Sequence, residues 1–178
     1  MFKNIPELGN QVQINKSEVK SVKKDLTKKL AKWAPYVESL IPKKSVVYNM
    51  RLKTCGKSDL IIYGGEVLFF KYKKNIFPTL RLLHRYPHTM KHLTVDKGAI
   101  KFVLSGAHIM CPGLTSAGGD LPDCSDGEFV AIHAEDKEHA IAIGRVVMDA
   151  EDIRTINKGI AIEVLHFLGD DLWSIELP

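Results

Sequence analysis

The sequence predicts an α+β chain of two domains. A helix-plus-antiparallel-sheet domain covers residues 1–91, and a small barrel-like domain of short mixed strands with small helices covers 92–178. Three observations predict this. Residues 16–34 repeat apolar side chains at spacings of three and four and are followed by β-rich runs around a Gly-Gly pair. Many short β-rich runs crowd the last part of the chain, as in small barrels. The charge also changes sign: residues 1–91 hold 19 Lys+Arg against 6 Asp+Glu, a net +13, and residues 92–178 hold 6 against 15, a net −9.

In order, Val19, Val22, Leu26, Leu30 and Trp33 share one helical face over 16–34, with Ser17 as a cap. Pro35 restarts the chain into a short helix over Tyr36–Ile41. Three strands follow: Val46–Leu52, Leu60–Tyr63 and Val67–Phe70, the last two joined by Gly64-Gly65, a hairpin signal. The unbroken apolar run Val67–Phe70 implies burial on both faces. Between Pro78 and Pro87 lie two helical turns that turn Leu80 and Leu83 inward and display Arg81, His84 and Arg85. The domain boundary falls near residues 88–92.

In the second half, Gly98–Leu104 is an amphipathic helix stopped by Ser105-Gly106, and His108–Met110 is a short strand. Cys111-Pro112-Gly113 turns the chain into a loose loop over 115–119. Strands are expected over 129–134, 140–148, 159–167 and 172–177. A helix over 150–157 is capped by Asp149 and closed by Gly159.

Composition sets bounds on function. No apolar run approaches the ~20 residues of a bilayer span, and MFKNIPELGN lacks the basic-then-apolar order of a secretory signal. Three distant cysteines, Cys55, Cys111 and Cys124, argue for a reducing compartment and a cytoplasmic protein. A basic half of this size suggests a polyanion partner, nucleic acid before a merely solvated lysine face.

Catalytic and metal motifs are weak. His84, His88 and His92 have helical spacing, but Pro87 interrupts it, and no Cys-x-x-Cys pair exists, so no metal site is assigned. Cys111 reads as a buried, inert thiol, and Cys124 sits in an acidic loop that disfavours its thiolate. Ser105 and Ser116 lack a nucleophile elbow, and no phosphate-binding glycine motif occurs. Trp33, Phe69, Phe70, Phe102 and Trp173 are assigned to the core. Any RNA binding would then rest on shape and phosphate contacts more than on base readout.

The runs VDKGAIKFVLSGA (95–107) and IMCPGLTS (109–116), with Ala142-Ile143-Gly144, Glu151-Asp152-Ile153, Asn157-Lys158-Gly159 and Gly169–Trp173, resemble a PUA domain, a small RNA-binding pseudobarrel. More narrowly, Ile41–Lys44, Gly65–Phe70 and Pro78–His84 make the whole chain similar to the malignant T-cell amplified sequence family, with its fungal translation-machinery-associated members. The two-domain unit is also similar to the N-terminal part of ligatin. Residues 49–60 and the acidic loop 120–128 follow no pattern of that family.

The resemblance implies a non-enzymatic translation factor. It would bind the small (40S) ribosomal subunit through RNA contacts, as a heterodimer with density-regulated protein. Its roles would be tRNA release and ribosome recycling, reinitiation and non-standard initiation, with tRNA a further partner. It implies no cofactor and no membrane, and zinc would belong to the partner. On this reading Lys20, Lys24, Lys28, Lys43, Lys44, Arg81 and Arg85 meet rRNA phosphates, and Lys97 and Lys101 extend that face onto the second domain. The alternatives are an RNA-modifying enzyme or its PUA-containing accessory subunit, and an adaptor for acidic proteins.

Overall fold

The fold is known from a computed structural model that describes residues 2–3, 8–52 and 58–177; Cys55 lies outside them. The described chain forms two compact units. One holds residues 8–89 with 175–177, and the other holds Met90–Ser174 with Phe2 and Lys3.

In the first unit, β1 (Gln11–Gln13) leads into α1 (Lys16–Lys29) and α2 (Val37–Leu40). Strands β2 (Tyr48–Leu52), β3 (Ser58–Tyr63), β4 (Glu66–Tyr72) and β5 (Asn75–Pro78) follow, and α3 (Leu80–Arg85) closes the unit. The strands form one antiparallel sheet in chain order, β1 to β5. Gly64 and Gly65, at φ 62° and 78°, make the β3–β4 turn in left-handed geometry that glycine accepts without strain. Val67, Leu68, Phe69 and Phe70 are all buried, as a strand covered on both faces requires. Val22, Leu26 and Trp33 are buried with them.

Three local expectations are corrected here. The first helix ends at Lys29, because Leu30 leaves helical geometry (φ −126°, ψ 69°), and Trp33 sits on a separate 3-10 turn, Ala31–Trp33. Its cap is Asn15, not Ser17: the Asn15 side chain accepts from the Glu18 N–H while the Glu18 carboxylate accepts from the Asn15 N–H, both at 2.9 Å. The sheet has five strands instead of three. β1 and β5 are edge strands, where polar residues and a terminal proline are tolerated.

The second unit contains β6 (His92–Val95), α4 (Lys97–Leu104), β7 (Ile109–Met110), α5 (Pro112–Thr115), β8 (Phe129–Ala134), β9 (Ala140–Val146), α6 (Ala150–Ile156) and β10 (Ile160–Phe167). Its curled sheet runs β6-β8-β9-β10-β7, with β6 parallel to β8 and the other pairs antiparallel. The chain is therefore α+β, with an antiparallel sheet first and a curled mixed sheet with small helices second. β6 was not expected, and α5 replaces part of the expected loose loop. Asn157, in left-handed geometry (φ 48°), ends α6 ahead of Gly159. Gly144 lies inside β9 because β10 passes too close for a side chain. An added Cβ would sit 2.5 Å from Ile162 Cγ2 and 2.8 Å from the Glu163 carbonyl oxygen.

The expected strand over 172–177 is absent, and Asp170 is the reason. Its buried carboxylate accepts from the N–H of Phe167 (3.0 Å) and of Trp173 (2.9 Å), and lies 2.8 Å from His166 Nδ1. The chain curls around that carboxylate into a turn. Phe2 packs here too: its ring meets His166 edge-on at 6.0 Å, and its carbonyl accepts from the Asp171 N–H at 2.9 Å.

Candidate nucleic-acid interface

On α1, the spacing of four places Lys20, Lys24 and Lys28 in one exposed row, which Lys16 extends. None of the four has an ion pair among the described residues. Like charges at that spacing cost about 0.2–0.5 kcal/mol per pair, so helix stability does not account for the row. Lys23, off this row, is held by Glu38 at 3.0 Å, and both line the groove described next. Lys29 reaches the Lys74 carbonyl.

Lys43 and Lys44 follow α2 in a turn that puts Lys44 at φ 68°. With Lys16 and Lys20 they line a groove of about 770 Å³, to which Ile14, Val19 and Val46 add apolar wall. The structure thus brings Lys20, Lys43 and Lys44 to one groove and adds Lys16, which the candidate set left out.

Arg81 and Arg85 are exposed on α3. Arg85 Nη2 pairs with Glu66 at 2.8 Å, both half exposed. It also lines a second pocket of about 390 Å³ with Lys32, Tyr36 and Tyr86.

In the second unit the two candidate lysines differ. Lys97 Nζ lies 3.0 Å from Asp136 and 3.6 Å from Glu135, and its N–H donates to Glu135 at 3.0 Å. The Asp136 hydrogen bond and charge, with Glu135 behind them, hold its ammonium above the ordinary lysine pKa. These carboxylates would compete with a phosphate. Lys101 has no ion pair among the described residues, and its Nζ lies 5.0 Å from the Phe102 ring centroid.

Phe102 corrects the core assignment: it is 55% exposed. The buried stripe of α4 runs through Ala99, Ile100 and Val103, and position 102 falls off it. Phe102 instead walls a largely apolar groove of about 560 Å³ with Ala99, His108, Met110 and Gly113. Trp173 is only half-buried, whereas Trp33, Phe69 and Phe70 are buried as expected.

The chemistry for nucleophilic catalysis is unfavourable at the thiols. Burial pushes Cys111 above its ordinary pKa. Cys124 is raised as well, first by burial and then by the Glu128 charge, so the acidic loop is the smaller cause. Among the described residues no three His, Cys, Asp or Glu side chains gather as a metal set, and no helix is long and apolar enough to cross a membrane.

Comparison with known proteins identifies both units. A PUA domain model matches residues 91–168, and a Pre-PUA-like domain model matches residues 2–87. The chain is 44% identical over 180 residues to malignant T-cell-amplified sequence 2 of Homo sapiens, covering 99% of this chain and 98% of that protein. It is 42% identical over 182 residues to translation machinery-associated protein 20 of Saccharomyces cerevisiae, covering 99% of each. A solved structure of a hypothetical protein from Pyrococcus horikoshii OT3 shares the fold, with a TM-score of 0.73 at 23% identity over 94% of this chain and all of that one. The chain belongs to the malignant T-cell amplified sequence family, with its fungal translation machinery-associated members.

Proposed function

We propose that this protein is a non-enzymatic, RNA-binding factor of the translation machinery that docks on the small ribosomal subunit through rRNA phosphates. The observation that carries the proposal is the basic surface of the first unit. Lys20, Lys24, Lys28, Lys43 and Lys44 are exposed and have no acidic partner among the described residues, and Lys16 joins them. The one carboxylate lining the groove, Glu38, is taken up by Lys23 at 3.0 Å, and the lysines left over suit a polyanion. Arg81 and Arg85 add to it, with Arg85 exchanging a weak surface pair for phosphate. In the second unit Lys101 beside Phe102 is the stronger RNA contact, and Lys97 contributes less because Asp136 and Glu135 hold it. The names of the relatives, translation machinery-associated protein among them, support the setting.

The protein works in the cytoplasm as a heterodimer with density-regulated protein. The pair acts in tRNA release and ribosome recycling, and in reinitiation and non-standard initiation. The less charged-paired surface belongs to RNA, and protein contacts fall elsewhere.

The test is sedimentation with purified small subunits over a salt series, with and without density-regulated protein. Arg81→Glu with Arg85→Glu should weaken co-sedimentation and flatten its salt dependence. Unchanged binding at every salt concentration would remove α3 from the interface. No binding by the wild type, alone or with its partner, would sink the proposal.

A further inference from the structure

The pocket at the end of α3 is unlike the lysine grooves, because its wall is aromatic. Tyr36 and Tyr86 lie with ring centroids 4.7 Å apart at 50°. Behind them the fully buried Trp33 indole contacts both rings, at 6.5 Å from Tyr36 and 5.6 Å from Tyr86. Trp33 in turn packs edge-on against Phe69 of β4 at 5.7 Å, so the wall is fixed to the sheet. Tyr36 is 38% exposed and lines the pocket.

Around that ring the ionisable side chains of the pocket are Lys32, Arg85 and His88, together with the two tyrosines, and no carboxylate lines it. Lys32 has no ion pair among the described residues. Arg85 is held by Glu66 through one terminal nitrogen, in a half-exposed pair that costs little to exchange. The volume, about 390 Å³, falls within the ~300–1,000 Å³ typical of small-ligand sites. A preset π-face ringed by cations matches one chemical class well: a base that stacks and a phosphate that pairs.

We propose that this pocket takes a single unpaired nucleotide of RNA, its base stacked on Tyr36 and its phosphate held by Lys32 and Arg85. The inference rests on the RNA-binding reading above and deepens it. It adds a base contact to an interface otherwise made of phosphate contacts. It also predicts a preference for single-stranded or bulged RNA over a continuous duplex, whose bases are already stacked.

The experiment uses the full chain and two probes: a single-stranded RNA oligonucleotide carrying 2-aminopurine, and the same oligonucleotide in a duplex. The expected result is a change in 2-aminopurine emission on binding the single strand. Tyr36→Ala should remove that change and weaken the single strand about tenfold more than the duplex, as loss of one stacked base does. Tyr36→Phe and Tyr36→Trp should restore both, since the ring and not the hydroxyl is used. Thermal melting checks that each variant is folded. Deacylated tRNA and purified small subunits, added as competitors, tell which RNA supplies the nucleotide, and displacement by neither overturns the site. If Tyr36→Ala binds both probes as the wild type does, while Lys20→Ala with Lys43→Ala weakens both, the stacking site is wrong and the phosphate reading stands. If the wild type binds neither probe, both fail.

Discussion

Removing two groove lysines gives the sharpest test of the phosphate interface. Lys20 and Lys43 come from different elements, α1 and the turn after α2, yet line the same groove. Each is exposed and unpaired among the described residues, so Lys20→Ala with Lys43→Ala leaves no buried partner unsatisfied. Alanine also suits the helix at position 20, and such surface changes shift stability by no more than about 0.5 kcal/mol. If each lysine neutralises one phosphate of a single strand, log K loses about 0.7 of slope per contact against log salt, so the double variant should flatten the slope by about 1.4. Extrapolated to about 0.15 M salt, that slope corresponds to roughly 15-fold weaker binding. Fluorescence anisotropy with a labelled RNA at four or five salt concentrations measures slope and affinity together. A variant with the wild-type slope would refute the argument and return these lysines to the status of a solvated face.

Two further predictions concern the second unit. Gly144→Ala should destabilise the protein by at least about 2 kcal/mol, since its Cβ would lie 2.5 Å from Ile162 Cγ2 and 2.8 Å from the Glu163 carbonyl oxygen; a urea midpoint within error of the wild type would show that β10 moves aside easily. In a Cys55→Ser background, Cys111 and Cys124 should react slowly with a thiol reagent at pH 8 and fast once unfolded. Both folded pKa values are raised by burial, so this contribution to stability is full below the unfolded thiol pKa and is lost as pH rises through the folded values. The urea midpoint should therefore fall at alkaline pH, and by less in a Cys111→Ala, Cys124→Ala variant; rapid native labelling would contradict it.

What the sequence made legible was whatever one segment settles alone. The Val22–Leu26 stripe marked α1, Gly64-Gly65 marked a hairpin, and the apolar run Val67–Phe70 marked a doubly covered strand. Leu30 gave no warning of the helix break, because neither Gly nor Pro stands there. β5 was hidden by its terminal Pro78, and β6 by its length of four residues. The turn at Gly169–Asp171 was readable, but the strand expected after it was not formed, because the buried Asp170 carboxylate accepts from the N–H of Phe167 and of Trp173 and curls the chain back on itself. The site followed the same rule. The lysine row on α1 is a matter of spacing and was readable, although Lys16 belonged with it. The pairing of Lys97 with residues 135 and 136, the exposure of Phe102, and the meeting of Tyr36 with Tyr86 all join residues far apart in the chain or depend on which helical face is covered. No local pattern encodes them.

Charge counts alone would make the second unit a poor RNA partner, and the pairing of its cations strengthens that conclusion. Lys91 is held by Glu128 at 2.7 Å, Lys97 by Asp136, Arg145 by Glu163 at 3.3 Å, and Arg154 by Asp123 at 3.2 Å. A phosphate approaching any of them would have to displace a carboxylate and then face its repulsion. In the first unit Lys16, Lys20, Lys24, Lys28, Lys43 and Lys44 present no such competitor among the described residues. The two units therefore differ in available positive charge as well as in net charge. On the phosphate-contact reading proposed above, this asymmetry puts most of the salt-dependent affinity in the first unit. On that reading the second unit adds a different kind of contact, in which the apolar groove beside Phe102 supplies shape and Lys101, over the Phe102 ring, supplies charge. If the proposed interface holds, RNA binding is strong through one unit while the other discriminates among RNAs by fit, because a groove with little charge adds little affinity for an RNA that does not fill it.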